Sequence, residues 1–245
     1  MIKLLISIKH PSELENAVRG GADIVDVKDP SKGSLGLPSY SSLREVLSRI
    51  KSLNIVGVEV SSAGGDIDRV EPYLQYVAYT VASLGVSYFK IGLAMGSMEL
   101  AKIMSSHVSQ VLKSFNSTKL VLVGYADFKL TGSIEPLKVI EVARDVDASV
   151  VMIDTYMKTG KTTFEFLSRN YLELFVKEAH GSSLLAALAG SLRKEHIVDA
   201  IELGFDVIGF RGAVCVGGRD GFVSEELVSE LKKTIIDYYH GVTRV

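Results

Sequence analysis

Eight short β-branched runs, each followed by a longer segment whose apolar residues recur at spacings of three and four, alternate through the 245-residue chain. Such alternation predicts repeated strand–helix units and a parallel sheet. Strands are expected at 3–7, 24–28, 55–60, 88–91, 120–124, 150–154, 184–188 and 207–210. Helices are expected at 12–19, 41–52, 70–84, 97–115, 136–145, 164–180, 194–203 and 224–239. Eight units in a chain of this length fit an α/β fold, the (β/α)8 TIM barrel, as one domain over residues 1–245. No Pro/Gly/Ser-rich stretch or charge run is long enough for a linker, and 47% apolar residues with five prolines suit one large core. Glycines after Arg19, Leu84 and Leu203 stand where left-handed C-caps return a helix to a strand. The competing fold, an open doubly wound sheet, wants a Gly-rich first crossover, and Ser7-Ile8-Lys9-His10 offers none.

Several function classes fall away on composition. With 27 basic and 29 acidic residues the chain has no basic footprint for nucleic acid. The apolar opening at 1–7 is too short and wrongly flanked for a secretory signal, and no later run reaches membrane-spanning length, so a soluble cytoplasmic protein is expected. A single cysteine, Cys215, excludes an internal disulfide and reads as an inert small side chain. The histidines His10, His107, His180, His196 and His240 lack metal-ligand spacing and read as helix or loop residues, so no metal site is expected. Tyr238 and Tyr239 read as packing residues or as a contact between subunits of a homo-oligomer.

Three strands end in charge. Asp26 and Lys28 close the second, Lys90 lies in the fourth and Asp154 closes the sixth. Side chains alternate between the two faces of a strand, so if Val25 and Val27 pack outward against helices, Asp26 and Lys28 point into the barrel. The same parity turns Lys90 inward between Phe89 and Ile91, and Asp154 inward beside Ile153. All three strands are even-numbered, and barrel interiors are layered from alternate strands, which places Lys28, Lys90 and Asp154 together at the C-terminal mouth, where barrel enzymes bind ligands. One strand-end lysine is commonly a solvated group or an ion-pair partner. Four charges on interior parity at one barrel end would be costly to bury without a function.

Two interior lysines and two carboxylates have a definite chemical use. A partly desolvated lysine near another cation exposes a neutral amine that can attack a carbonyl and form a Schiff base. Asp26 and Asp154 are then general acid/base candidates, and Lys158 can lean over the same mouth from the loop after the sixth strand. Pattern alone does not separate Lys28 from Lys90 as nucleophile. The loops after strands seven and eight carry Ala189-Gly190-Ser191 and Arg211-Gly212-Ala213, and barrels acting on phosphorylated substrates hold phosphate there. Gly190, Ser191, Arg211, Gly212 and Ala213 are the phosphate-binding candidates, with Lys158 and Arg211 open to the plainer reading of a solvated or ion-paired loop charge. Gly160-Lys161-Thr162 looks like the end of a P-loop, but Thr155 stands where that motif requires glycine, which excludes a nucleoside triphosphate site. Glu59 falls on the interior face of the expected third strand, or in solvent if that strand bends.

The runs Gly20-Gly21-Ala22-Asp23-Ile24-Val25-Asp26-Val27-Lys28-Asp29-Pro30, Gly33-Ser34-Leu35-Gly36, Gly124-Tyr125-Ala126-Asp127 and Asp154-Thr155 closely resemble the (5-formylfuran-3-yl)methyl phosphate synthase family. Lys158, Gly160-Lys161-Thr162, Ala187-Leu188-Ala189-Gly190-Ser191 and Arg211-Gly212-Ala213 extend the resemblance across nearly the whole chain. It implies a TIM barrel similar to class I aldolases that acts in methanofuran biosynthesis. Two glyceraldehyde 3-phosphate molecules would be condensed into a furan aldehyde phosphate with loss of phosphate and water, without metal or organic cofactor. By the same resemblance Lys28 carries the Schiff base and Asp26, Lys90, Asp154 and Lys158 match the other functional positions. The chain departs from the family pattern at Val216, where a lysine is expected, and at Glu59, where a small side chain is expected; both bear on phosphate affinity or pocket shape. Two other readings of the residues stay open: a sugar-phosphate isomerase or epimerase working through Asp26 and Asp154 without an adduct, and a non-catalytic barrel binding phosphorylated metabolites.

Overall fold

In the computed structural model, which describes residues 1–242, eight parallel strands close on themselves in sequence order. They are β1 (Lys3–Ile8), β2 (Ile24–Val27), β3 (Glu59–Ile67), β4 (Tyr88–Leu93), β5 (Lys119–Tyr125), β6 (Val150–Asp154), β7 (Leu185–Leu188) and β8 (Val207–Phe210). β8 pairs back onto β1, with Lys3 opposite Val207 and Leu5 opposite Gly209. The helices are α1 (Leu14–Arg19), α2 (Tyr40–Ser52), α3 (Leu74–Ser83), α4 (Met98–Leu112), α5 (Phe128–Thr131), α6 (Pro136–Asp145), α7 (Thr163–Phe166), α8 (Arg169–Gly181), α9 (His196–Glu202) and α10 (Glu225–Val242). A two-residue hairpin, β9 (Cys215–Val216) with β10 (Phe222–Val223), projects from the β8 loop.

Helix boundaries follow from the caps. Ser39, Ser97 and Ser168 each accept a backbone N–H three residues on, and so start α2, α4 and α8. The Ser168 cap also explains why the helix expected at 164–180 is two: Leu167 is extended, α7 ends, and α8 begins anew. The first expected helix likewise opens as a 3-10 turn, Pro11–Glu13, before α1. Gly21, Gly85 and Gly204 take positive φ where helices return to strands.

The core divides as strand parity demands. One buried cluster, including Val25, Val27, Phe89, Ile91, Val151 and Ile153, lies between strands and helices. A second, including Leu5, Ile24, Val121, Val150, Met152 and Val207, fills the lower barrel. Each fully buried side chain of this size contributes roughly 2 kcal/mol of transfer free energy. The residues that alternate with the first cluster on β2, β4 and β6 are therefore interior.

The third strand is displaced from its expected place. Residues 55–58 are apolar but form a connection, because Asn54 and Gly57 adopt positive φ and Val56 is 90% exposed. β3 begins at Glu59 and runs through Ser-Ser-Ala-Gly-Gly. Glu59 thus stands at the N-terminal end of the barrel, 2.5 Å from Lys3 Nζ and within 2.9 Å of the Tyr88 hydroxyl. The mouth is at the opposite end, so Glu59 does not shape the pocket there.

Candidate active site

Lys28 follows the last residue of β2, and its N–H donates to the Ile8 carbonyl, which extends the strand ladder by one step. Its side chain is 5% exposed. Lys90 projects inward from the middle of β4, Asp154 from the end of β6, and Lys158 from the loop beyond. Lys28, Lys90, Asp154 and Lys158 line one cavity of about 470 Å³ at the C-terminal mouth. Asp26, fully buried on β2, lies behind this wall and reaches the cavity through Lys90.

The carboxylates are each engaged by a lysine. Asp26 Oδ2 is 2.8 Å from Lys90 Nζ and accepts the Ser7 hydroxyl at 2.9 Å. Asp154 Oδ1 accepts Lys158 Nζ and the Thr155 N–H, both at 2.7 Å, while Lys158 also donates to Thr155 Oγ1. Lys28 differs: its Nζ donates to the Ser34 carbonyl at 3.2 Å and has no carboxylate within hydrogen-bond distance.

These surroundings set the charges. Burial pushes the Lys28 amine down to about 7, against the opposing pull of Asp154 and Asp26, with Lys158 and Lys90 adding to the depression. Burial pushes the Asp154 carboxyl up, but Lys158 and Lys28 outweigh it and hold it at about 2. Asp26 is likewise pushed up by burial and brought below the usual carboxylate range by Lys90 and Lys28. At neutral pH the site therefore holds a substantial fraction of neutral Lys28 amine between two ionised carboxylates.

Gly190, Ser191, Gly212 and Ala213 form the opposite wall. Gly190 and Ser191 both adopt positive φ, and a Cβ on Gly190 would overlap Thr163 Oγ1. Thr163 fixes this turn by donating its hydroxyl to the Ala189 carbonyl at 2.6 Å and its N–H to the Gly190 carbonyl. Gly160-Lys161-Thr162 is the approach to α7, with Thr162 in a capping box with Glu165.

Arg211, the other phosphate candidate, lines the same cavity but is engaged by protein groups. Its guanidinium is buried and donates to Glu13 Oε2 at 2.9 Å and to the carbonyls of Ser7, Arg219 and Gly221. It ties the β1 loop to the β9–β10 hairpin. Two further cations line this wall, Arg193 and Arg219, which sequence reasoning missed. Arg219 donates from the hairpin to the Gly33 carbonyl at 3.0 Å. Its signal is faint: one arginine in Gly-Gly-Arg-Asp-Gly, placed only once the hairpin folds. Val216 points away, 69% exposed. Ser34, Ser7 and Thr155 were missed as well, since serine and threonine carry no periodic mark.

Cys215 is buried, and burial pushes its thiol up to about 11, consistent with an inert side chain. Among the described residues no group of three or more His, Cys, Asp or Glu side chains is placed to hold a metal ion, and no helix is long and apolar enough to cross a membrane.

Comparison with known proteins adds family membership to this geometry. The model of the 4-HFC-P synthase family matches residues 4–232. The (5-formylfuran-3-yl)methyl phosphate synthase of Methanocaldococcus jannaschii is 39% identical over 234 residues, 94% of this chain and 98% of the relative. The enzymes of the same name from Methanothermobacter thermautotrophicus and Methanosarcina barkeri are 37% and 38% identical, over 95% and 94% of this chain and 98% and 97% of theirs. Among solved structures, 3-hexulose-6-phosphate synthase aligns with a TM-score of 0.63 at 16% identity, covering 96% of this chain and all of that one. Thiamine phosphate pyrophosphorylase from Pyrococcus furiosus aligns at 0.61 with 13% identity, covering 96% of each chain. At such identities these two attest the barrel fold alone.

Proposed function

Because the chain belongs to the 4-HFC-P synthase family, we propose that it condenses two molecules of glyceraldehyde 3-phosphate into (5-formylfuran-3-yl)methyl phosphate through a Schiff base on Lys28, as a step of methanofuran biosynthesis. One observation carries the lysine assignment: of the three lysines lining the cavity, Lys28 alone has no carboxylate on its Nζ. A neutral amine with a free lone pair is the attacking species, and at an amine value of about 7 a large share of Lys28 is in that form at neutral pH.

In this reading one triose phosphate is isomerised towards the ketone form, and its carbonyl carbon is attacked by Lys28 Nζ. Loss of water leaves an iminium, which acts as an electron sink for the adjacent carbon. Removal of a proton there gives the enamine, whose carbon forms the new bond to the aldehyde of the second triose phosphate. Elimination of phosphate and dehydration then aromatise the ring; over the whole reaction one phosphate and two waters leave, so no oxidant or reductant is needed. The ion pairs Lys90–Asp26 and Lys158–Asp154 flank Lys28 and shuttle the protons. Asp26 acts through Lys90, since it does not itself line the cavity. The backbone around Gly190, Ser191, Gly212 and Ala213 holds phosphate, with Arg193 and Arg219 supplying positive charge at the rim.

The test is incubation of the protein with glyceraldehyde 3-phosphate and borohydride, followed by intact mass and peptide mapping beside a Lys28→Arg control. The expected result is a reduced adduct on Lys28 and a product absorbing as a conjugated furan aldehyde. An adduct on Lys90 reverses the two lysines. Binding without adduct or product overturns the proposal.

A further inference from the structure

Asp66 stands beside the mouth, at the end of β3, and takes no part in the chemistry just described. A bulge puts it there. Ala63 is partnered with Lys90 but Asp66 with Gly92, so β3 uses three residues where β4 uses two. The extra residue gives Asp66 the inward parity that regular alternation would give Gly65, which turns at φ +115. The carboxylate accepts the N–H of Ser34 at 2.7 Å, the N–H of Leu35 at 3.2 Å and the hydroxyl of Tyr125. Tyr125 reaches it from β5 across Gly92, where a Cβ would overlap the phenol oxygen. A Cβ on Gly33, itself at φ +116, would overlap Asp66 Oδ2. Burial and the neighbouring Asp66 push the Tyr125 phenol well above its usual range, which keeps it a hydrogen-bond donor.

The segment held in this way covers Lys28. Ser34 gives its carbonyl to Lys28 Nζ and its hydroxyl to the Thr155 carbonyl at 2.9 Å and Asp154 Oδ2 at 3.3 Å. Leu35 is fully buried and packs among the interior residues that include Ala63 and Val123. Three strand ends thus converge on a loop whose tip touches the amine.

We propose that Asp66 and Tyr125 are positioning residues that hold residues 33–35 closed over Lys28 and so keep its amine out of water. The proposal rests on the reading of Lys28 as the nucleophile, because it assigns the latch the task of keeping that amine neutral. Burial is the largest influence on Lys28, and solvation favours the charged form, so an opened loop raises the amine's midpoint. The charged groups that face Lys28 are Asp26 from β2, Lys90 from β4, Asp154 from β6 and Lys158 from the loop after it. None of the four is a hydrogen-bond partner of Asp66 or Tyr125, and only Asp154 is hydrogen-bonded to the latched segment, through the Ser34 hydroxyl.

The test is competitive acetylation with acetic anhydride as a function of pH, read at Lys28 by peptide mass with exposed lysines of the same digest as references. Wild type, Tyr125→Phe and Asp66→Asn are compared, with melting temperature and circular dichroism as checks on folding. The Lys28 midpoint is expected near neutrality in wild type and higher in both variants. About tenfold less neutral amine at pH 7 is expected for Asp66→Asn and about threefold less for Tyr125→Phe, with the acid limb of any turnover profile moving the same way. Looser access without a change in solvation would alter the extent of labelling but not its midpoint. An unshifted Lys28 midpoint in folded Tyr125→Phe overturns the latch, whatever becomes of Asp66→Asn. A wild-type Lys28 that titrates like the exposed lysines overturns instead the assignment of the nucleophile.

Discussion

Lys90 Nζ lies 2.8 Å from Asp26 Oδ2, and neither side chain exposes more than 3% of its surface. This ion pair separates two lysines that alternate strand parity had left equivalent. A buried carboxylate that must be compensated occupies the ammonium of Lys90, and the Ser7 hydroxyl donates to the same oxygen, while Oδ1 has no hydrogen-bond partner among the described residues. Lys28, two residues beyond Asp26, is offered only a peptide carbonyl. Of the two lysines, the one that faces Asp26 is held in an ion pair, and the other is left with no carboxylate on its Nζ.

Asp26→Asn is expected to destabilise the fold by about 3 kcal/mol, since it leaves the Lys90 charge buried without a counterion. The double variant Asp26→Asn with Lys90→Met should recover most of that loss, because no charge is then left uncompensated. Urea denaturation of the single and double variants checks both statements. Additive losses would show that Lys90 is compensated by another group.

The Lys28 amine gives stability a pH dependence of definite sign. Its folded value of about 7 lies below the unfolded value of 10.5, so between these limits the unfolded chain binds more protons and stability rises with pH. The burden of the buried charge is fully present below pH 7 and lifts as pH rises towards 10.5. Lys28→Met is expected to raise stability at pH 6 by about 2 kcal/mol and to do little at pH 10. Melting temperatures of wild type and variant across this range give the check; a constant offset would mean that the amine is not depressed.

Much of this was legible in the sequence because parity is a strict constraint. Val25, Val27, Phe89, Ile91, Val151 and Ile153 had to face the helices, so Asp26, Lys28, Lys90 and Asp154 had to face inward, and all four do. The third strand was illegible for a related reason. Its interior positions Ser61 and Ala63 lie opposite Asp26 and Lys90 in the ladders, where long side chains already fill the space, so small residues stand where a β-branched run is sought. The apolar run at 55–58 was the more visible signal, and it is a loop. The buried contacts of Arg211 were illegible because an arginine after the last strand suits phosphate, whereas its partner Glu13 is 198 positions away and meets it only when the barrel closes.

Arg211 and Arg219 are expected to separate in their effects. Arg211 satisfies Glu13 and the carbonyls of Ser7, Arg219 and Gly221, and lysine cannot reproduce four directed donors, so Arg211→Lys should cost about 3 kcal/mol of stability. Arg219 holds one carbonyl at the rim. Arg219→Gln should leave the melting temperature within a degree or two and raise KM for the phosphorylated substrate about tenfold, as befits one lost charge-assisted contact. Parallel thermal melts and steady-state kinetics distinguish the two. The reverse pattern would return Arg211 to the phosphate.

Glu59 offers a test of which end of the barrel does the chemistry. Its carboxylate pairs with Lys3 at the N-terminal face, half in solvent, and accepts the Tyr88 hydroxyl. Between it and the mouth lie the interior side chains of β3 and β4, including Ser61 and Lys90. Glu59→Gln preserves an acceptor for Tyr88 and removes only a partly exposed ion pair, so the expected cost is under about 1 kcal/mol. Because barrels of this kind act at the C-terminal ends of their strands, kcat/KM should stay within about twofold of wild type. A tenfold loss with stability intact would show that charge at the floor of the barrel is felt by Lys90, and the chemistry could no longer be confined to the mouth.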